Sequence, residues 1–198
     1  RVKPTPEEIE IIDFIAEPIQ KLNRLTQISI LQAVVSSPHA LLAQLEKMAI
    51  NRTAPKELAE GVRAIVARMK TTAKLEGLTT LVEQLKKDQG IQWRMVIFTC
   101  RRETQTTIEA FLGDNGIRCG LINGDSGSRN QQTIAKFKKS PPDINVIVST
   151  EAGSEGVNLQ AANILVNYDL PWNPMIVEQR IGRIQRLASL HENVCIYN

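Results

Sequence analysis

Five residues near the end of the chain, Gln179, Arg180, Gly182, Arg183 and Arg186, fall within little more than two helical turns. Arg183 and Arg186 stand three apart and Gln179 stands four before Arg183, so the three share one helix face. Two guanidiniums and an amide on one face suit a polyanion, because the arginine fork matches phosphate oxygens. Gly182 would let a neighbour approach closely. A solvated basic face has the same pattern, and Ile181, Ile184 and Leu187 provide an apolar stripe that either reading accommodates. A second candidate lies upstream. The loop from Ser149 to Gln160 leaves an apolar run with hydroxyls and glycines that can turn backbone N–H groups toward an anion. An ordinary turn-rich connection would look similar. Glu151 and Glu155 are out of place in a phosphate cradle, so they are expected to be structural or directed at arginines.

Elements must position these residues. From about residue 93 onward, short β-rich runs alternate with amphipathic segments. Strands are expected at Met95–Thr99, Arg118–Ile122, Asn145–Ser149, Ala162–Asn167 and Val194–Tyr197. Helices are expected at Glu103–Asn115 (closed by Gly116), at Ser128–Lys138 with a capping box from Ser128 to Gln131, and from Pro174, capped by Asn173, to about Leu187. Alternation at this spacing implies an α/β fold, a parallel sheet with helices on both faces. Ligands of such sheets meet the loops at the carboxyl ends of the strands, here those after Phe98, Ser149 and Asp169.

Residues 1 to about 90 read almost entirely as helix. Thr5-Pro6-Glu7-Glu8 is a start signal with a capping box, followed by Ile9, Ile12, Ile15, Ile19 and Leu22 at helical spacing. Ser37-Pro38 opens a helix through Met48, Pro55 opens one through Met69, and Lys74–Lys87 forms another. The expected domains are a helical extension over residues 1–72 and an α/β lobe over residues 73–198.

The totals, 198 residues with 42% hydrophobic and 23% charged, suit one sizeable core plus a helical appendage. A net charge of +3 permits a polyanionic partner without requiring one. No run has the length of a membrane span and none reads as a signal peptide, so no membrane partner is expected. Cys100, Cys119 and Cys195 lie far apart without metal-ligand spacing; no metal site is expected, and buried free thiols in a reducing compartment are. Arg1 in first place and an end within NVCIYN read as a piece of a longer chain.

The motifs carry a resemblance. STEAGSEGVNLQAANILVNYDLPWNPMIVEQRIGRIQRLAS resembles motifs V and VI of superfamily 2 helicases, most closely the Swi/Snf-type group with its bacterial RNA-polymerase-recycling branch. Gly156, Asn158 and Leu159 form Gly-x-Asn-Leu; Tyr168-Asp169 and Trp172-Asn173-Pro174 follow, then Gln-x-x-Gly-Arg-x-x-Arg from Gln179 to Arg186. Lys74-Leu75-Glu76, VIFTCRRET and Gly124-Asp125 followed by Phe137 resemble earlier parts of the same lobe, so the match spans roughly residues 73 to 198. Ala188-Ser189 stands where the group usually has Gly-Gln, and Ser154-Glu155 where it commonly has Gly-Gly.

The resemblance implies the second RecA-like lobe of an ATP-dependent motor, with ATP between two lobes. Arg183 and Arg186 would reach the γ-phosphate, Arg186 as the arginine finger. Gln179, Gly156 and Asn158 would serve ATP binding. Thr99 and Thr150 would hold nucleic-acid phosphates. Trp172 would either rest on nucleic acid or pack as an anchor. The implied partners are duplex DNA and a first lobe on the same polypeptide, which would also hold the Mg²⁺, and the implied setting is the cytoplasm or nucleoid of a bacterium or a nucleus. The chain has no Gly-x-x-x-x-Gly-Lys-Ser/Thr phosphate loop. Other readings are a degenerate lobe that only binds nucleic acid or protein, and a strand-separating RNA helicase of the same superfamily.

Overall fold

The computed structural model describes residues 2–124, 127–154, 156–185 and 193–198. The chain divides into two compact units, one up to Thr79 and one from Thr80 onward.

The first unit is helical: α1 (Pro6–Gln20), α2 (Arg24–Ser36), α3 (Pro38–Ile50), α4 (Lys56–Val66) and the start of α5 (Ala73–Gln89). Its caps follow from the sequence. The Thr5 hydroxyl accepts from the Glu8 amide while the Glu8 carboxylate accepts from the Thr5 amide, and Pro6 occupies the first turn. Ser37 ends α2 and caps α3, its hydroxyl accepting from the Ala40 amide at 3.1 Å. Separating α2 from α1 is Asn23, whose side chain accepts from the Thr26 amide; the periodicity had not distinguished this helix. The buried stripe of α1 also differs from expectation. Ile11 and Ile15 are buried, whereas Ile9 and Ile12 are each 47% exposed. Aliphatic residues lie almost all round this helix, so spacing alone leaves its inward face undecided. Ile11 and Ile15 join Ile30, Leu41, Leu45 and Val62 in one core.

The second unit is a five-stranded sheet in the order β2-β3-β1-β4-β5. Its strands are β1 (Met95–Thr99), β2 (Cys119–Ile122), β3 (Val146–Thr150), β4 (Ile164–Asn167) and β5 (Cys195–Tyr197), and every pairing is parallel. All residues of β1 and β3 are buried. Since alternate side chains point to opposite faces, both faces of the central strands are covered. Helices α6 (Arg102–Asp114) and α7 (Gly127–Lys138), the helical turn α8 (Glu151–Ser154) and α9 (Pro174–Ile184) connect the strands. The α/β fold with a helical N-terminal part is the one the alternation implied.

Local signals set the joints. Gly116 ends α6 at φ +67°, and the Ile117 amide returns to the Leu112 carbonyl at 2.8 Å. Asn173 caps α9 by accepting from the Met175 amide at 3.0 Å. α7 begins at Gly127, so Ser128 sits inside its first turn rather than at the cap. Val96, Phe98, Ile122, Phe137, Ile147 and Leu165 lead the core of this unit.

Candidate functional site

The strand register brings two predicted residues together: Thr99 and Thr150 are paired at the carboxyl ends of adjacent β1 and β3. Both are buried, Thr99 completely. The Thr99 hydroxyl donates to Asp169 Oδ2 at 2.8 Å, and the Cys100 amide donates to Asp169 Oδ1 at 2.7 Å. The Thr99 hydroxyl is therefore taken up by Asp169, and what this strand end exposes begins at Cys100.

After Thr150 the chain makes the single turn α8, and close packing dictates its composition. A Cβ on Gly153 would lie 2.6 Å from the Ile122 carbonyl carbon and 2.7 Å from the Asn123 amide nitrogen, at the end of β2. Gly156 takes φ +72° and is exposed, a conformation that favours glycine. Asn158, also exposed, folds its side chain over the loop and accepts from the Gln160 amide at 3.0 Å. The next amide, that of Leu159, donates to the Arg183 carbonyl at 3.3 Å. The loop with Gly156 and Asn158 is thus tied to the last turn of the helix with Gln179 and Arg183. Gln179 is exposed and Arg183 half-buried. A cavity of about 370 Å³ opens beside this loop, lined by Gly124, Asn130, Gly153, Gly156 and Asn158 among others.

Arg186, the expected arginine finger, lies outside the described residues, as do Glu155 and Asp125. Trp172 is 71% exposed, with Leu170 and Met175 exposed beside it in sequence. Packing anchor, one of the two expectations for Trp172, does not describe such a residue; an open aromatic face remains.

Spacing did not single out Arg180 from the other basic residues of its helix, yet its surroundings set it apart. It is fully buried, the largest side chain so enclosed among the described residues. Its Nη1 donates to Asn167 Oδ1 at 2.7 Å and to the Asp169 carbonyl at 3.0 Å. Its Nε donates to Glu151 Oε1 at 2.8 Å, with Nη2 closing the ion pair to the same oxygen. The guanidinium stands 5.2 Å from the centroid of the Phe98 ring, within cation–π range. Glu151 is accordingly directed at an arginine, one of the two roles the sequence allowed it. The signal that could have found this set is the presence of acceptors at two strand ends, Glu151 after β3 and Asn167 and Asp169 at and after the end of β4, beside one basic helix.

All three cysteines are free, as expected, but they are not buried: Cys100 and Cys195 are exposed and Cys119 is half-buried. Partial desolvation, then the charge of Asp169, pushes the Cys100 thiol up to about 12. Desolvation, then Glu109, raises Cys119 to about 11. Among the described residues, no group of three or more His, Cys, Asp or Glu side chains could hold a metal ion, and no helix is long and apolar enough to cross a membrane.

The model of the helicase conserved C-terminal domain matches residues 73–188. The chain belongs to this family. It is the C-terminal, RecA-like lobe of a Swi/Snf-type helicase, as its motifs V and VI implied. It is similar to the ATP-dependent helicase YqhH of Bacillus subtilis (strain 168), 32% identical over 200 residues, covering 98% of this chain and 35% of YqhH. It is also similar to the RNA polymerase-associated protein RapA of Vibrio parahaemolyticus, 36% identical over 110 residues, 54% of this chain and 11% of RapA. Among solved structures, the C-terminal part of the Fun30 ATPase domain has the same fold: TM-score 0.67, 17% identity, 99% of this chain and 81% of that one. The chain thus spans about a third of the first of these curated relatives and about a tenth of the second.

Proposed function

We propose that this lobe is the second half of an ATP-driven motor that moves along duplex DNA, working with a first RecA-like lobe of the same polypeptide. The observation that carries the reading is the Leu159–Arg183 hydrogen bond. It joins the glycine-rich loop beyond Thr150 to the helix bearing Gln179 and Arg183, so that groups suited to two phosphate ligands belong to one small structure. The relationship to YqhH, an ATP-dependent helicase, supports ATP dependence.

The roles in this reading are those that motifs V and VI imply. Arg183 and Arg186 serve the γ-phosphate and stabilise the charge that builds on the transferred group. Gln179 senses the nucleotide, while Gly156 and Asn158 lie toward the ribose and transmit lobe closure. Bound MgATP supplies the phosphoryl group whose transfer to water drives the cycle. Glu151 and Asp169 are engaged with Arg180, Thr99 and the Cys100 amide, and in this reading the Mg²⁺ ligands belong to the first lobe, as the resemblance implies. The strand ends marked by Thr99 and Thr150 meet the DNA backbone, and Trp172 adds an exposed aromatic face. Phosphate contacts of this kind position a duplex without reading its sequence.

The test uses the full-length protein. Arg183→Ala and Arg186→Ala are each expected to lower the DNA-stimulated kcat for ATP hydrolysis by about 100-fold or more, leaving duplex binding within about threefold. Hydrolysis unchanged by either substitution would mark the lobe as a non-catalytic binding module. Stimulation by single-stranded RNA but not by duplex DNA would reassign the substrate.

A further inference from the structure

Motif VI contains an arginine that touches neither of the two ligands assigned above, and the fold encloses it completely. Arg180 reaches the carboxyl ends of three adjacent strands: Glu151 just beyond β3, Phe98 near the end of β1, and Asn167 and the Asp169 carbonyl at and beyond the end of β4. Asp169 in turn holds the Thr99 hydroxyl and the Cys100 amide. A guanidinium without water is retained at a cost that a well-packed apolar side chain would avoid, so its retention points to geometric specificity rather than stability. That specificity falls where both ligands need it. Arg183 is three residues further along α9, so anchoring Arg180 fixes the rotation and height at which Arg183 is presented.

We propose that Arg180 is a positioning residue that locks the nucleotide-facing helix to the DNA-facing strand ends, so that a shift of one is felt by the other. This rests on the two-ligand reading above. Glu151 is its charge partner and Asp169 its bridge to the loop after β1. A rigid pin suits this task because the planar fork holds several acceptors in fixed directions, which a lysine cannot do.

The test measures coupling rather than turnover. In the full-length protein, the Kd for a fluorescein-labelled 30-base-pair duplex is determined with and without a non-hydrolysable ATP analogue, and the ratio is the coupling factor. Coupled sites typically show a factor of about 5 to 150. Arg180→Lys keeps the charge but not the fork, and is expected to bring the ratio to about 1–2. The duplex Kd without nucleotide and the analogue Kd without DNA should each stay within about threefold, as binding assays on the separate ligands would report. Glu151→Gln, which keeps an acceptor at the same place, is expected to give an intermediate ratio, and it decides the matter if Arg180→Lys does not fold.

Coupling unchanged in a folded Arg180→Lys protein, or in Glu151→Gln where that variant decides, overturns the proposal. So does a parallel loss of affinity for both single ligands, because that is the signature of a loosened lobe rather than a lost linkage. A wild-type ratio of 1 overturns the two-ligand reading itself, and this proposal with it; a coupled wild type with an equally coupled variant overturns this proposal alone.

Discussion

At the scale of single residues, Asp169 shows how one buried acidic side chain braces the end of a strand. Its two oxygens accept from the Thr99 hydroxyl and the Cys100 amide, and only 4% of the residue is exposed. Asp169→Asn replaces one of these acceptors with a donor facing a donor. The expected loss is about 1–3 kcal/mol of stability, the usual range when a buried partner is left unsatisfied, read from the shift of a urea midpoint. A chemical readout accompanies it. The Asp169 charge is one of the causes that raise the Cys100 thiol, so removing it lowers that pKa and enlarges the thiolate fraction at a given pH. Alkylation of Cys100 by iodoacetamide at pH 9 should therefore be faster in the variant, though still held back by desolvation. An unchanged rate would mean that Asp169 does not influence the thiol. These residues also show where reading a sequence stops. Arg183 and Gln179 could be chosen because their types and spacing suit phosphate. Arg180 has the same type and neighbourhood, and only burial separates it from a solvated arginine. Its partners lie 11, 13 and 29 residues away, so their meeting is a product of strand order that no local pattern contains.

At the scale of elements, the strands were the most legible part. β1 occupies the expected residues, and β3 and β4 differ only by small shifts at their ends, because runs such as MVIFT and NVIVS have continuous apolar stretches and are bounded by turn residues. Helix ends were legible where a cap is written in the sequence, as at Thr5, Ser37 and Asn173, and helix faces were not where aliphatic residues surround the axis, as in α1. The turn α8 lies between these cases. Its glycine could be seen, but the reason for it could not, since the demand comes from the end of β2, a strand some 30 residues earlier. Gly153→Ala would place a methyl group against the Ile122 carbonyl and the Asn123 amide, both backbone and therefore unable to rotate away. The turn must move, at an expected cost of about 1–3 kcal/mol for overpacking. Because α8 follows directly on Thr150, at the strand ends proposed to meet the DNA backbone, duplex affinity in the full-length protein should fall together with the melting temperature. Gly113→Ala is the control: a Cβ there meets nothing within 4 Å, and alanine favours the helix it sits in. If both substitutions leave melting and binding unchanged, the close approach at Gly153 does not shape the loop.

At the scale of the whole molecule, the lobe carries the arginines proposed to meet a nucleotide but no Gly-x-x-x-x-Gly-Lys-Ser/Thr loop to enclose its phosphates. That much was readable from the sequence, because a phosphate loop is contiguous; how the half-site is braced was not, because Arg180 and its acceptors are dispersed. The energetics set an expectation for the 198-residue chain in isolation. Exposed charged contacts contribute about 0.2–1 kcal/mol each, so even three such contacts supply about 3 kcal/mol at most. A Kd of 1 mM requires about 4 kcal/mol, so the lone chain should bind MgATP more weakly than that and hydrolyse it at the background rate. Joining a first lobe changes the arithmetic in kind. Closure then brings the arginines to a nucleotide already held, at an effective concentration in the millimolar range for a short linker, and each contact acts in a site from which water is excluded. DNA-stimulated hydrolysis should therefore be full in the linked protein and weak when the two lobes are mixed as separate chains, rising with their concentration. Calorimetry on the isolated chain and hydrolysis assays on the mixture measure both halves of this expectation. A micromolar Kd for ATP in the isolated chain would reveal a nucleotide site that the arginine face does not explain.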